Sequence, residues 1–276
     1  MNYEKVKDQF GNWGEYFKPF IESQEFDKIF SFLKSETLKR KEVFPESRNV
    51  FKSFKITNRH NIKCIICSQD PYNTKTKEGK VIANGIPMSC ELTGSLQPSL
   101  EQWYTACEEQ YRGFDPDMDF RPDNSYLLRE EGVLLLNSSL TVEYMKPGSH
   151  EYIWLPFMQY FIEEIINKHY RGLPIVLLGG QAQKLEKFIN PLIHYVLKVE
   201  HPAAASHQNR KWNTNNLFNW IDKIIEANNG PSERIRWYRV KGDDDYDNMP
   251  EFVKKDFSNK GTKSAKELGL PESFDH

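Results

Sequence analysis

The chain has 276 residues, 28% of them charged and 38% hydrophobic, and a formal net charge of −2. That length buries one large core or two small ones, and the balanced charge excludes a uniformly basic nucleic-acid binder while leaving room for a local basic groove. No run approaches the ~18 apolar residues of a membrane-spanning helix. Met1-Asn2-Tyr3-Glu4-Lys5 also lacks the basic and apolar regions of a signal peptide, so an intracellular protein without membrane contact is expected, cytoplasmic or, in a eukaryote, nuclear.

Phe17, Phe20, Ile21, Phe26, Ile29, Phe30 and Leu33 recur at helical spacing up to the break at Phe44-Pro45. Val50, Phe51 and Phe54 predict one more short helix face, so residues 1 to about 60 read as helices with a connector. A first buried strand follows over residues 62–67, within Cys64-Ile65-Ile66-Cys67-Ser68-Gln69-Asp70-Pro71-Tyr72-Asn73. There an apolar β-type run stops at an acid, a proline and an aromatic ring, and Pro71 both ends the ladder and stiffens the turn. Residues 74–97 read as loop, with Lys75, Lys77 and Lys80 beside Gly79, Gly85 and Gly94. Pro98-Ser99-Leu100 opens a helix through Trp103, Tyr104 and Cys107, with proline in its first turn.

Residues 113–126, rich in Asp, Pro and Arg, read as a surface connection, and a second buried strand, Val133-Leu134-Leu135-Leu136, ends at Asn137. A helix is predicted over 152–168. The third strand, Ile175-Val176-Leu177-Leu178, stops at Gly179-Gly180 and precedes a helix through Ala182 and Leu185. The fourth, Tyr195-Val196-Leu197-Lys198-Val199, ends at Glu200-His201-Pro202, and a last helix runs from about Asn215 to Ala227. Continuous β-branched or leucine strands alternating with helices predict an α/β domain over residues 1–227, a central four-stranded parallel sheet covered by helices on both faces. Residues 228–276 read as a charged C-terminal extension, with Ile235–Val240 as one added strand and a solvated tail beyond Asp243-Asp244-Asp245. Cys64 and Cys67 have CxxC spacing but point to opposite faces of a strand, so with Cys90 and Cys107 they read as reduced, buried small hydrophobes, and no metal is expected.

The polar residues that end these strands are Asp70, Asn137 and His201. In a parallel sheet with right-handed crossovers the C-terminal strand ends share one edge, so a carboxylate, an amide and an imidazole converge there. Each alone is an ordinary turn or surface residue; three at matching topological positions form a candidate site. Gly179-Gly180 has neither GxGxxG spacing nor a P-loop lysine.

These residues belong to ordered blocks that resemble the uracil-DNA glycosylase superfamily, its main uracil-excising family in particular, from about Trp13 to Ile221. The blocks are Phe44-Pro45 with Val50-Phe51 and Phe54, Gln69-Asp70-Pro71-Tyr72, Ala83-Asn84-Gly85, Pro98-Ser99-Leu100, Gly132 through Asn137 with Leu140-Thr141-Val142, and Ser149-His150. Gly179 with Ala182-Gln183-Lys184, and His201-Pro202 with Ser206, complete them. The resemblance implies a DNA glycosylase, monomeric and without cofactor, that extracts a base and hydrolyses its N-glycosidic bond to leave an abasic site. Asp70 would orient water and stabilise the developing sugar cation, while His201, as a neutral imidazole, and the backbone around Gln69 would bind the uracil O2. Asn137 would read N3–H and O4, Tyr72 would exclude a C5 methyl group, and Ser99 and Ser206 would touch DNA phosphates, with Lys75, Lys77, Lys80, Arg210 and Lys211 adding charge.

Several positions depart from the family pattern. Asn73 follows the motif tyrosine in place of His, and Met88 stands where an aromatic ring usually stacks on uracil. Ala203 replaces a phosphate-contacting serine, and Ala205 occupies the place of the leucine that wedges into the base stack. The family's chemistry on uracil, the same chemistry on a modified pyrimidine in repair or antiviral defence, and a DNA-binding module that has lost activity are the three readings; joint retention of Asp70, Asn137 and His201 speaks against the last.

Overall fold

A computed structural model describes residues 2–90, 96–111, 118–119 and 122–240. The four predicted strands are present as β1 (Cys64–Ser68), β2 (Val133–Asn137), β3 (Pro174–Leu178) and β4 (Tyr195–Val199), in the order β2-β1-β3-β4. All three pairings are parallel, and Ser68 lies beside Asn137 in the register of β1 and β2.

Strict alternation of side chains sorts the strands onto two cores. Cys64, Ile66, Val133, Leu135, Val176 and Leu178 face one apolar layer, while Ile65, Cys67, Leu134, Leu136, Ile175 and Leu177 face the other. Cys64 and Cys67 therefore lie on opposite faces, as their strand placement predicts, and all four cysteines are buried thiols. Apolar runs without alternation are what two covered faces require.

The second layer is aromatic. Helices α1 (Gly14–Ile21) and α2 (Gln24–Leu38) close it with Phe17, Phe20 and Phe26, and Phe17 stacks on Phe157 at 5.0 Å between ring centroids. Val50 and Phe51 lead into the short helix Lys52–Ile56, whose Phe54 joins the same layer. Over the other face lie α3 (Pro98–Tyr111) and, further along the chain, the helix that begins at Leu217. The helix predicted over 152–168 is α4 (Glu151–Tyr160), continued as a π-helical segment to Ile166. Next come α5 (Pro202–His207) and α6 (Leu217–Asn229). No helix among the described residues is long and apolar enough to cross a membrane.

Beyond the boundary expected at residue 228 the chain still packs on the first core. Ile235 and Trp237 are buried in the first core, and Asp222 on α6 accepts hydrogen bonds from the Ile235 N–H at 3.4 Å and the Trp237 indole N–H at 3.1 Å. Of the strand expected over 235–240, only Arg239–Val240 forms, pairing antiparallel with Met118–Asp119. Burying an indole recovers more free energy than exposing it on an edge strand, so this segment is part of the domain. The tail expected from Asp243 lies outside the described residues, as do residues 113–117 and 120–121 of the expected surface connection.

Candidate active site

The C-terminal strand ends open into one cavity of about 470 Å³, lined by Gln69, Asp70, Tyr72, Met88, Ser99, Asn137 and His201 among others. The predicted convergence of carboxylate, amide and imidazole is therefore present.

Asp70 sits two residues past β1. The Gly148 N–H donates to its Oδ2 at 2.8 Å, while its Oδ1 is buried with no hydrogen-bond partner among the described residues. Burial pushes the carboxyl above its ordinary range; the Gly148 N–H, then Gln181 and Ser139, act in the opposite sense. The carboxylate is thus partly desolvated, with one oxygen held by backbone and the other unengaged.

His201 caps the N-terminus of α5, its Nδ1 accepting the Ala203 N–H at 3.1 Å. An imidazole that accepts at Nδ1 carries its proton on Nε2 when neutral, and Nε2 lies 2.8 Å from the Ser68 hydroxyl. Burial, with His207 acting in the same sense, pushes this ring down to about 4. At neutral pH it is an uncharged donor aimed along Nε2–H. Gly179, at φ +81°, permits this packing: a Cβ there would meet the Gln69 side chain at 2.2 Å and the His201 Cβ at 3.0 Å.

Asn137 is buried at the end of β2, and its Oδ1 likewise has no partner among the described residues. The phenol of Tyr72 lies 3.0 Å from the Ser99 hydroxyl, and burial pushes it above its ordinary range. Met88 is buried with a left-handed backbone, φ +50°, and its carbonyl accepts from the Asn124 amide at 2.7 Å. Asn84 steadies the same loop, accepting from the Ile86 N–H at 3.0 Å and donating to Ser89 at 3.0 Å.

Several expected DNA contacts are placed differently. Ala205 is fully buried in the first core, so it does not occupy an exposed wedge tip. The exposed residues of that turn are His207, Gln208, Asn209 and Arg210. Ser99 is buried and engaged by Tyr72, and the Ser206 hydroxyl donates to the Pro98 carbonyl at 2.8 Å, tying α5 to α3. Arg210 is ion-paired with Glu200, Lys211 with Glu109, and Lys75 with Glu42. These cations reach phosphate only by exchanging partners, which at an exposed pair costs about 1 kcal/mol or less.

Leucine at position 205 is accordingly expected to destabilise the protein by ~1–3 kcal/mol through overpacking. A lowered thermal midpoint in Ala205→Leu checks this; improved base release at unchanged stability would restore the wedge assignment.

Ser68, Ser139, Gly148 and Gln181 act at the site without having been singled out from sequence. Ser68, immediately before the Gln69-Asp70 motif, was the one with a positional signal. Gly148 comes close only through the fold.

A partly desolvated carboxylate, a neutral imidazole donor and an amide with an open acceptor meet on the edge of a parallel α/β sheet, a set suited to hydrolysis beside a bound polar ring. The similarities that follow make the protein a DNA glycosylase, a hydrolase of N-glycosyl bonds. The family model for the uracil DNA glycosylase superfamily matches residues 54–226, and the chain belongs to that superfamily. It is 33% identical over 230 residues to a uracil-DNA glycosylase of Pseudomonas aeruginosa, covering 82% of this chain and 94% of that protein. A uracil-DNA glycosylase of Francisella philomiragia is 32% identical over 220 residues, covering 79% and 93%. The crystal structure of mimivirus uracil-DNA glycosylase superposes with a TM-score of 0.71 at 22% identity, covering 82% of this chain and 86% of that one, a likeness of fold.

Proposed function

We propose that the protein excises uracil from DNA, drawing the nucleotide into the cavity and hydrolysing its N-glycosidic bond. The observation that carries this is the pair of buried, unengaged acceptors, Asp70 Oδ1 and Asn137 Oδ1, lining one cavity with the Nε2–H of His201.

The Asn137 Oδ1 accepts the uracil N3–H while its amide nitrogen donates to O4; cytosine presents the reverse pattern and leaves both groups mismatched. His201 donates Nε2–H to O2 as the base departs with negative charge, exchanging Ser68 for the base. Asp70 faces the sugar, where its charge offsets the developing cation and its free oxygen orients water. The Tyr72 ring, braced by Ser99, excludes a C5 methyl group by overlap. Met88 covers the base without a π face, forfeiting part of a stacking contribution of ~1–3 kcal/mol.

The second reading, excision of a modified pyrimidine, draws on Met88 and Asn73, which give the pocket a more adaptable lining than aromatic and imidazole rings. Purified protein incubated with uracil-containing and C5-modified DNAs, single- and double-stranded, separates the two when abasic sites are scored. Release of uracil above every modified base is expected; release of a modified pyrimidine alone overturns the first reading. In the same assay Asn137→Asp is expected to lower uracil release by ~10²-fold, because a carboxylate cannot donate to O4.

A further inference from the structure

Ala205 on α5 is buried, yet an exposed apolar tip stands two residues before Pro147, which lines the cavity. Tyr144 and Met145 are 41% and 62% exposed, two of five large hydrophobic residues so exposed among the described residues. They cap a tight turn in which Lys146 N–H donates to the Glu143 carbonyl at 3.0 Å. The turn is anchored on three sides. Tyr144 N–H donates to Glu42 O at 2.8 Å, Met145 N–H to Asn73 O at 2.9 Å, and Glu143 N–H to the Ser149 hydroxyl at 2.9 Å. Met145 has φ +58°, a conformation that an L side chain adopts at a cost and holds only when its surroundings impose it. The side chain is therefore presented outward by a rigid support.

The same turn runs directly into the site. Pro147 lines the cavity, and the next residue, Gly148, holds the Asp70 carboxylate. Lys75, paired with Glu42, lies over the Tyr144 ring at 5.6 Å, and Lys146, paired with Glu143, has a side chain 62% exposed, so two cations able to exchange partners flank the apolar tip. An apolar residue between cations, on a rigid support beside a base-extraction cavity, matches the chemistry of duplex DNA: charged phosphates outside and an apolar stack within.

We propose that Tyr144 and Met145 form a DNA-contacting tip that packs against the base stack beside the extracted nucleotide and keeps the opened duplex from closing. This rests on DNA being the substrate, but not on which base is released. It also links DNA engagement to the acid, since the turn that carries the tip positions Asp70.

The test is Met145→Asn, because asparagine tolerates the left-handed backbone while removing the apolar surface. Binding to double- and single-stranded oligonucleotides is measured, with 2-aminopurine beside the target base reporting unstacking. Met145→Asn is expected to weaken duplex binding by about 5- to 10-fold, as loss of ~1 kcal/mol of apolar contact would, and to reduce the 2-aminopurine signal. Single-strand binding should change less than 2-fold, Met145→Leu should retain duplex binding, and Leu192→Ala, at the other end of the sheet, should change nothing. Unaltered duplex binding, or equal losses on single and double strands, overturns the proposal. Failure of the wild type to release uracil would instead count against the proposed substrate, leaving the binding comparison intact.

Discussion

Asp70→Asn is expected to lower base release by ~10³-fold or more, about 4 kcal/mol of activation free energy, measured in single turnovers with saturating enzyme. The substitution preserves shape and leaves an oxygen able to accept the Gly148 N–H. What disappears is the negative charge opposite a developing sugar cation, in a site where burial makes that charge strong because little water screens it. The same burial raises the carboxyl's pKa above its unfolded value, so the ionised group opposes folding at neutral pH. Asp70→Asn should therefore unfold at an equal or higher temperature than the wild type. Lost activity with retained stability separates a catalytic role from a structural one, and full activity would remove Asp70 from the reaction.

His201→Leu is expected to lower release by ~10²–10³-fold, the usual effect of removing one donor from a developing oxyanion. A pH series adds a second signature. The wild-type ring titrates at about 4 rather than near 6.5, so the rate should pass through 6.5 without an inflection. It should fall only in acid, where the Asp70 carboxylate, its pKa raised by burial, and the His201 ring take up protons. An inflection near 6.5 that disappears in His201→Leu would overturn the neutral-imidazole assignment.

Stability follows the same titration. The unfolded imidazole binds its proton near 6.5 and the folded one only near 4, so the contribution of His201 is fully present above 6.5 and is lost as pH falls toward 4. Protonation also abolishes the acceptor at Nδ1 that caps α5. Urea midpoints at pH 7 and pH 5 should therefore differ less in His201→Leu than in the wild type.

Legibility from sequence divides by the range of the interaction. The strands and their polar ends were readable because burial on both faces demands unbroken apolar runs, and a parallel sheet brings Asp70, Asn137 and His201 to one edge whatever the loops do. The burial of Ala205 is not legible in the motif, because alignment conveys order along the chain and not burial; a helical α5 turns that side chain into the core. Ser99 and Ser206 were assigned to phosphate from the resemblance alone. Their hydroxyls bond within the protein, to Tyr72 and to the Pro98 carbonyl.

The residues themselves determined a parallel α/β domain, a strand-end carboxylate stiffened by Pro71 and the identities of its two partners, because side-chain periodicity and the backbone limits of proline are local properties. Only the tertiary structure decided that His201 is a neutral Nε2 donor, that Asp70 takes one hydrogen bond from Gly148 far along the chain, and that Trp237 belongs to the core. Protonation states and hydrogen-bond partners depend on desolvation by residues remote in sequence, and those neighbours exist only once the sheet has brought its edges together.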